Sequence, residues 1–397
     1  MSNTKIVIVG AGTAGITIAA QLSLTGRKLD ITLIDPSAKH YYQPIWTLVG
    51  GGVFSKEVSE KDTKDFIPDG CTWIQDFVTA FDPENNTVST KASGDVSYDY
   101  LVVAPGLQVN FAAVPGLKEA MSQANPNVVS NYSYETVDKT FPAIQNFKQG
   151  GTAIFTHPNT AVKCGGGPMK IMYLMADYLR KNGKAKGSNI QFYKPGGAIF
   201  GVTKYKLALD KVVERYGIDC VWQTHLVEVR GSENIAVFEN LQTKEIFERK
   251  YDFMHVTPPM SSPQFLKDST LGDAGGWVDV DIHSLQHKRY ANIFSAGDCA
   301  ALPTAKTGAA VRKQAPVVVQ NMLAHLDGKK LEASYDGYSS CPLVTGYGKL
   351  ILAEFDYDSN PVESFPFDQG KERYSMYALK AYGLPEMYWH GMLRGQM

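Results

Sequence analysis

The stretch IVIVGAGTAGITIAAQL, residues 6–22, decides the fold of this chain. Its first four residues are apolar and predict a buried strand, a glycine-rich turn follows, and the next residues predict a helix from Ile16 to about Leu24. A second apolar strand, residues 31–34, ends at Asp35. The order of strand, turn, helix and strand is a βαβ unit, which indicates an α/β fold with a parallel sheet.

The glycine turn has the spacing of a dinucleotide-binding fingerprint. Gly10 permits the tight turn, Gly12 lets the backbone approach a pyrophosphate, and Gly15 lets the helix pack closely on the strand. The amides near Thr13 and Ala14 would face the phosphates, and the helix dipole favours that contact. Because the whole strand, turn and helix context is present, the sequence predicts dinucleotide binding.

Two acidic residues far apart in the chain extend this prediction. Asp35 lies 20 residues after Gly15 and is placed to accept hydrogen bonds from a ribose. Residues 292–298 read NIFSAGD, an apolar strand that ends in Gly297 and Asp298. This is similar to the second FAD signature of glutathione-reductase-like flavoproteins, in which the aspartate binds the ribitol. The two motifs together predict FAD as the cofactor.

A second strand and helix unit begins at residue 151, without a normal nicotinamide site. A phosphate loop should follow the strand GTAIFT, residues 151–156, but the chain continues as HPNTAVK to Cys164 and only then reaches GGGP. The next strand ends at Lys194, where an acid would be needed for a ribose. We therefore expect this unit to be a Rossmann-like domain with a degenerate nicotinamide site.

These units indicate an α/β protein with two tandem Rossmann-like domains, parallel sheets and a C-terminal strand-and-helix region. We expect the first part of the FAD-binding domain in residues 1–110 and its second part in residues 286–330. The second Rossmann-like domain is expected in residues 111–285, between these two parts. Residues 331–397 form the C-terminal region.

Composition and charge exclude several classes of protein. The chain has 397 residues, of which 44% are hydrophobic and 20% charged, as in folded globular proteins. A formal net charge of -1 gives no basic face for nucleic acid. The five cysteines include no CxxC pair, and no His/Cys cluster has the spacing of metal ligands, so no metal is expected. No apolar run is long enough for a membrane span.

Cys164 stands in a loop whose surroundings favour a reactive thiolate. Glycine, proline and lysine flank it, and a predicted helix, residues 168–180, follows. A helix N-terminus and the neighbouring Lys163 both favour the charged form of a thiol. Cys341 enters a C-terminal strand 177 residues later, so sequence spacing alone cannot pair the two cysteines.

Six segments, spread over nearly the whole chain, carry a family resemblance. They are KHYYQPIWTLVG (39–50), FTHPNTAVKCGGGPMKIMYL (155–174), HVTPPM (255–260), GWVDVD (276–281), GDCAALPTAKT (297–307) and YSSCPLVTGYGKLILAEFDY (338–357). In these segments the chain resembles the sulfide:quinone oxidoreductase family, specifically the branch that includes the mitochondrial enzyme. The two segments that hold Cys164 and Cys341 are the most specific.

The resemblance implies an enzyme that oxidises sulfide and passes two electrons through FAD to a membrane quinone. It implies that Cys164 and Cys341 form a redox-active sulfur bridge beside the flavin, and that a soluble acceptor removes the sulfane sulfur. Lys306 and Thr307 fall where the family approaches the isoalloxazine ring, and we expect Lys306 to stabilise negative charge on reduced flavin. Further expected FAD contacts are Gln43, Val78 and Gly106.

The C-terminal region is expected to face the quinone and the membrane. Residues 374–394 combine aromatic residues with methionines, a composition that favours a membrane interface, although a helix packed on the flavin domain is the alternative. Phe355, Tyr377 and Trp389 are candidates for the quinone pocket. We expect a peripheral protein of the bacterial cytoplasmic membrane, or of the mitochondrial inner membrane if the chain is processed. The sequence does not predict whether the protein forms a homo-oligomer.

Three other functions compete with this interpretation. A single-subunit NADH:quinone oxidoreductase would need an intact second fingerprint, which residues 151–168 lack. A flavocytochrome-type sulfide dehydrogenase subunit is usually exported, and no signal peptide is visible. A non-catalytic FAD-binding redox sensor would not need two cysteines in specialised loops.

Overall fold

A computed structural model describes residues 3–397 of the chain. In chain order, the strands are β1 (Thr4–Val9), β2 (Leu29–Ile34), β3 (Lys39–Tyr41), β4 (Glu60–Asp62), β5 (Thr72–Ile74), β6 (Val78–Asp82), β7 (Thr87–Thr90), β8 (Asp95–Ser97), β9 (Tyr100–Val103), β10 (Gln108–Val109), β11 (Val128–Val129), β12 (Thr152–Thr156), β13 (Asn189–Lys194), β14 (Ile218–Trp222), β15 (Thr224–Arg230), β16 (Ile235–Asn240), β17 (Ile246–Lys250), β18 (Phe253–His255), β19 (Met260–Ser261), β20 (Ile293–Ser295), β21 (Ser339–Gly346) and β22 (Lys349–Phe355).

The helices connect and cover these strands. The α-helices are α1 (Thr13–Ser23), α2 (Trp46–Gly50), α3 (Leu117–Met121), α4 (Thr140–Asn146), α5 (Gly167–Lys181), α6 (Thr203–Tyr216), α7 (Gln264–Lys267), α8 (Gly308–Leu326), α9 (Tyr374–Ala378) and α10 (Leu384–Glu386). Short 3-10 helices cover Gln43–Ile45, Lys56–Ser59, Thr63–Phe66, Phe111–Ala113, Val137–Lys139 and Met392–Arg394. In the described part of the chain, no helix has both the length and the apolar composition needed to cross a membrane.

The first parallel sheet has the strand order β20-β9-β1-β2-β5. Ile6 of β1 lies opposite Ile31 of β2 on one side and Tyr100 of β9 on the other. The apolar end of β1, residues 6–9, is buried, as expected for a parallel strand covered on both faces. Helices α1 and α8 pack against each other on this sheet. The chain leaves the sheet after β9 and returns to it only at β20.

The second parallel sheet has the order β11-β18-β12-β13-β14 and is built entirely from the intervening chain. Helix α5 follows β12. A three-stranded antiparallel sheet, β15-β16-β17, packs on the second parallel sheet, where the ring centroids of Phe238 in β16 and Tyr193 in β13 are 3.9 Å apart. Two parallel sheets with crossover helices confirm the predicted α/β class. The predicted domain limits after residues 110 and 285 stay predictions.

The C-terminal region begins with an antiparallel hairpin, β21 and β22, that packs against α5. Residues 374–394, called here the C-terminal segment, follow as a helical stretch with two π-helical turns, Leu379–Gly383 and Met387–Gly391. Beyond the segment, the carbonyl oxygen of Met397 accepts a hydrogen bond of 3.0 Å from the side-chain amide of Gln21 in α1. The Met392–Arg394 turn at the end of the segment also packs on α1, which is the alternative arrangement considered above.

Candidate functional site

The glycine turn between β1 and α1 has the close contacts that its sequence predicts. A methyl group on Gly10, which has a φ of +101°, would lie 2.3 Å from the carbonyl oxygen of Ala104, and one on Gly15 would lie 1.8 Å from that of Gly10. Both positions therefore require glycine. A methyl group on Gly12 would meet nothing within 4 Å, so this side of the turn is open.

Thr13, Ala14 and Asp35 lie beside the glycine turn. Thr13 and Ala14 begin α1, three residues earlier than the predicted Ile16, because Gly12 is still extended and the helical backbone starts directly after it. Asp35 accepts hydrogen bonds of 2.8 Å from the amides of Ala11 and Ser37. Burial raises the pKa of the Asp35 carboxyl above its usual value, and these two hydrogen bonds oppose the rise.

Gly106, Gly297 and Asp298 lie at the carboxyl ends of β9 and β20, beside the turn that follows β1. Gly106 and Gly297 have φ values of 75° and 82°, which favour glycine. The Gly297 amide donates a 2.8 Å hydrogen bond to Gln314 of α8. Burial raises the pKa of Asp298, although Lys163 and Lys306 favour its charged form. One sheet edge thus collects the residues of both sequence motifs.

The remaining candidate cofactor contacts lie at two places. Thr307 caps α8, where its hydroxyl accepts a 3.1 Å hydrogen bond from the Ala310 amide and lies 2.9 Å from the Ser339 hydroxyl. Gln43 begins the 3-10 helix after β3 and is exposed, whereas Val78 begins β6 and is buried.

Lys306 links the flavin motif to the cysteine loop. Its ammonium group donates to the carbonyl oxygens of Asp298, at 2.6 Å, and Ala300, at 3.2 Å, and lies 4.1 Å from the centre of the Trp277 ring. Burial lowers the pKa of this lysine, and Asp298 opposes the change. Its own carbonyl oxygen accepts a 3.0 Å hydrogen bond from the Cys164 amide.

The structure brings Cys164 and Cys341 into contact. Their side chains lie next to each other, and both are free cysteines in this structure. Cys341 lies on β21, whereas Cys164 lies just before α5 with a φ of 53°. The Sγ atom of Cys164 also accepts a 2.9 Å hydrogen bond from the ammonium group of Lys170. A methyl group on Gly166 would lie 2.5 Å from Cys341 Sγ, so the glycine leaves room for the second sulfur.

The two thiols differ strongly in acidity. The hydrogen bond from Cys341 lowers the pKa of Cys164 well below its usual value; burial opposes this and Lys170 assists it. The pKa of Cys341 is raised well above its usual value by the same hydrogen bond and by burial. In the reduced pair these shifts favour the thiolate on Cys164 and the neutral thiol on Cys341.

Two buried lysines beside the cysteines were missed by the sequence analysis. Lys170 of α5 is 1% exposed, and Lys380 of the C-terminal segment is 3% exposed. Burial favours the neutral form of Lys170, but the charges of the two cysteines prevail and raise its pKa. Burial and repulsion from Lys170 lower the pKa of Lys380 to about 7. Lys170 has a sequence signal, since it interrupts an apolar helix, whereas Lys380 has none.

The three candidate quinone residues lie in separate aromatic groups. Phe355 packs edge-on against Phe200, with ring centroids 5.9 Å apart. Tyr377 stacks on Tyr374 at 6.4 Å. Trp389 packs next to Phe66 and other aromatic residues near β3 and β4.

Comparisons with known proteins place these features in a family. Residues 4–325 match the family model described as pyridine nucleotide-disulphide oxidoreductase. The chain is 49% identical over 395 residues to the mitochondrial sulfide:quinone oxidoreductase of Dictyostelium discoideum, and the match covers 99% of this chain and 86% of that protein. It is 46% identical over 392 residues to the mitochondrial sulfide:quinone oxidoreductase of Mus musculus, covering 98% and 86%.

Solved structures agree with the two-sheet fold. The crystal structure of the sulfide:quinone oxidoreductase from Aquifex aeolicus matches with a TM-score of 0.81 and 20% identity, covering 99% of this chain and 92% of that one. A chain in the cryo-EM structure of the Tetrahymena thermophila mitochondrial ATP synthase matches with a TM-score of 0.88 and 23% identity, covering 100% and 97%. At these identities the structures support the fold alone. The near full-length sequence matches go further, and they show that this chain is an oxidoreductase that belongs to the sulfide:quinone oxidoreductase family.

Proposed function

We propose that this protein oxidises sulfide through a Cys164/Cys341 redox bridge and passes two electrons through FAD to a membrane quinone. The observation that carries the proposal is the proximity of these two cysteines, which are 177 residues apart in the chain, one in the loop before α5 and one on β21. The amide of Cys164 is hydrogen-bonded to Lys306, eight residues after Asp298, so the sulfur pair lies beside the candidate flavin site. Sulfide and quinone are the reactants in the names of the relatives.

The residues at the edge of the first sheet fit FAD. The open side of Gly12 leaves space for a pyrophosphate to approach the backbone, and Asp35 is close enough to the turn to serve a ribose. When bound, FAD supplies a carrier that accepts two electrons and returns them to a second substrate. The residues that we propose to hold it are Gly10, Gly12, Thr13, Ala14, Gly15, Asp35, Gln43, Val78, Gly106, Gly297, Asp298, Lys306 and Thr307.

The difference in pKa between the two cysteines indicates which sulfur is attacked and which one leaves in the first step. A thiolate of lower pKa leaves a disulfide faster, and Cys164 has the lower pKa of the two. We therefore propose that hydrosulfide attacks the Sγ atom of Cys341 in the oxidised bridge. The disulfide bond breaks, Cys341 becomes a persulfide, and Cys164 leaves as a thiolate that Lys170 stabilises.

The second step returns the cysteines to their starting state. A soluble nucleophilic acceptor attacks the outer sulfur of the Cys341 persulfide, takes the sulfane sulfur, and releases the Cys341 thiolate. Re-forming the bridge between Cys164 and Cys341 then gives up two electrons, which balance the two-electron oxidation of sulfide. Lys170 and Lys380 are placed to offset the two negative charges in the meantime. Lys306 is our candidate for stabilising the negative charge that the electron pair brings to the cofactor site.

Mixing the oxidised holoprotein with sulfide under anaerobic conditions tests the proposal. We expect sulfide to bleach the flavin absorbance rapidly and a short-chain quinone to restore it. Bleaching by NADH and not by sulfide would instead assign the protein as an NADH:quinone oxidoreductase. The structure gives that outcome little support, since the segment that follows β12 leads to Cys164 and pairs with Lys306 in place of a phosphate loop.

Substitution of Gly12 tests the cofactor site itself. Gly12→Ala adds a methyl group on the open side of the turn, where it meets no protein atom within 4 Å but would occupy the path of a pyrophosphate. We expect normal folding, measured by thermal unfolding of the flavin-free protein, and at least about a tenfold loss of FAD affinity. Gly201→Ala is the matched control, because a methyl group there also meets nothing within 4 Å. Equal FAD affinity in both variants would contradict the assigned site.

The C-terminal region is our proposed contact with the membrane and its quinone. Tyr374 and Tyr382 of the C-terminal segment are 71% and 61% exposed, and aromatic side chains favour the membrane interface. Phe355, Tyr377 and Trp389 stay our candidates for quinone contact. We propose peripheral attachment, and the relatives named as mitochondrial favour the mitochondrial inner membrane over the bacterial cytoplasmic membrane.

A further inference from the structure

One buried side chain of the C-terminal segment touches the glycine turn, and the proposed function does not use it. Tyr388 lies in the second π-helical turn, Met387–Gly391. Its hydroxyl oxygen is 2.8 Å from Thr13 Oγ1 and 2.5 Å from His40 Nε2. Thr13 is the first residue of α1 and belongs to the turn that we propose to receive the pyrophosphate.

The direction of these hydrogen bonds follows from the atom on the far side of His40. His40 Nδ1 is 3.2 Å from the carbonyl oxygen of Ala11, which can only accept, so Nδ1 carries the proton. Burial lowers the pKa of His40 to about 4, hence the ring is neutral near pH 7 and its Nε2 accepts. The Tyr388 hydroxyl therefore donates to His40 and accepts from Thr13.

These hydrogen bonds close a ring around the turn. The ring starts at the Thr13 hydroxyl, passes through Tyr388 and His40, and returns to the backbone at Ala11. It fixes the Thr13 side chain and the Ala11 carbonyl relative to each other, and with them the peptide groups of Gly12 between them. The Thr13 hydroxyl donates its hydrogen bond to Tyr388 and is not free to donate to an anion. An anion at this turn is therefore bound by the backbone amides, and the helix dipole favours it.

Aromatic packing holds Tyr388 in this position. The ring of Tyr42 lies 4.7 Å from that of Tyr388, centroid to centroid. The next residue, Trp389, packs on Phe66 at 5.1 Å, and the Lys61 ammonium group lies 4.8 Å from the centre of the Trp389 ring. The ring of hydrogen bonds therefore depends on the docked position of the whole C-terminal segment.

The two π-helical turns of the segment point to a functional role for it. Such turns are rare in proteins, and those that occur often lie at functional sites. The first contains Lys380, whose charge acts on the cysteine pair and whose ammonium group donates to the Pro44 carbonyl oxygen, and the second contains Tyr388, which contacts the glycine turn. We propose that Tyr388 is a positioning residue of the FAD site, and that the C-terminal segment retains FAD by holding the glycine turn in its binding shape. This inference rests on the proposed function.

The rate at which FAD leaves the diluted holoprotein tests the inference. Tyr388→Phe removes the hydroxyl group and with it both hydrogen bonds, to Thr13 and to His40, while the aromatic packing is kept. We expect about three- to tenfold faster release. Thr13→Val should have the same effect, whereas Thr13→Ser keeps the hydroxyl and should restore slow release. Tyr382→Phe is the matched control, because this tyrosine belongs to the same segment and is exposed.

Hydrogen exchange separates a positioning role from a merely structural one. If the segment retains FAD, bound FAD must stabilise the docked segment by the same factor. Residues 384–394 of the wild-type protein should therefore exchange more slowly with FAD than without it, and Tyr388→Phe should lose this difference. FAD release from Tyr388→Phe at the wild-type rate, or wild-type hydrogen exchange in residues 384–394 that is the same with and without FAD, would contradict this inference and leave the proposed function intact. A wild-type protein that binds no FAD would overturn the proposed function itself.

Discussion

Cys341→Ser is expected to abolish sulfide oxidation while the protein keeps its flavin. Without the second sulfur no disulfide can form, so hydrosulfide has no bond to attack and the first chemical step is lost. Removal of a nucleophilic or redox-active side chain typically costs several orders of magnitude, and we expect the rate of flavin reduction by sulfide to fall at least about a thousandfold. The measurement is anaerobic rapid mixing, with the flavin content of each preparation determined beforehand.

The control for this substitution is Cys71→Ser. Cys71 is partly exposed, and its sulfur is 3.4 Å from the hydroxyl of Ser23 at the end of α1, whereas the cysteine pair lies between the loop before α5 and β21. Serine is a close replacement there, so sulfide oxidation should continue at the wild-type rate. If Cys341→Ser instead kept more than about a tenth of the wild-type rate, the bridge mechanism would be wrong.

Lys170→Met is expected to raise the pKa of Cys164 and so slow every step that needs its thiolate. The ammonium group of Lys170 lies 2.9 Å from Cys164 Sγ, inside the protein, where an unscreened charge acts strongly. With the lysine present, the pKa of Cys164 is well below its usual value, which favours the thiolate. Without it, the thiolate should form only at higher pH. Methionine has a similar length and suits a buried site, so the fold should remain.

Alkylation of the reduced protein measures this change directly. The rate of iodoacetamide addition at Cys164, located by mass spectrometry and followed as a function of pH, reports the thiolate fraction. We expect the midpoint of this pH profile to move upward by about one pH unit or more in Lys170→Met, so that the rate on the low-pH side of the midpoint falls about tenfold. Lys118→Met, an exposed lysine of α3, is the matched control. An unchanged pH profile would mean that Lys170 does not stabilise the thiolate.

Local backbone requirements explain what the sequence could predict. Gly10 and Gly15 each avoid a contact with a neighbouring segment, and the spacing of such glycines is visible in the chain. The strand and helix after them follow from apolar periodicity. The α/β class and the family could therefore be predicted, as the fold and the comparisons confirm.

Contacts between distant segments explain what the sequence could not predict. Lys380 influences the charge of the cysteines, and Tyr388 contacts Thr13, only because the C-terminal segment packs back on the rest of the fold. A lysine or tyrosine in an amphipathic stretch has no signal that separates such a contact from an ordinary surface position. Even the meeting of Cys164 and Cys341 was implied by the family resemblance and by no feature of their spacing.

The backbone of Cys164 has a consequence for attempts to stabilise this protein. Its φ of 53° lies in the left-handed region, where a residue with a Cβ atom carries about 1 kcal/mol of strain that glycine avoids. For stability alone, glycine would be preferred to cysteine at position 164, but glycine has no sulfur and cannot form the redox bridge. Engineering guided by melting temperature alone would tend to replace this cysteine, and a library screened for heat resistance would need a parallel activity screen to retain it.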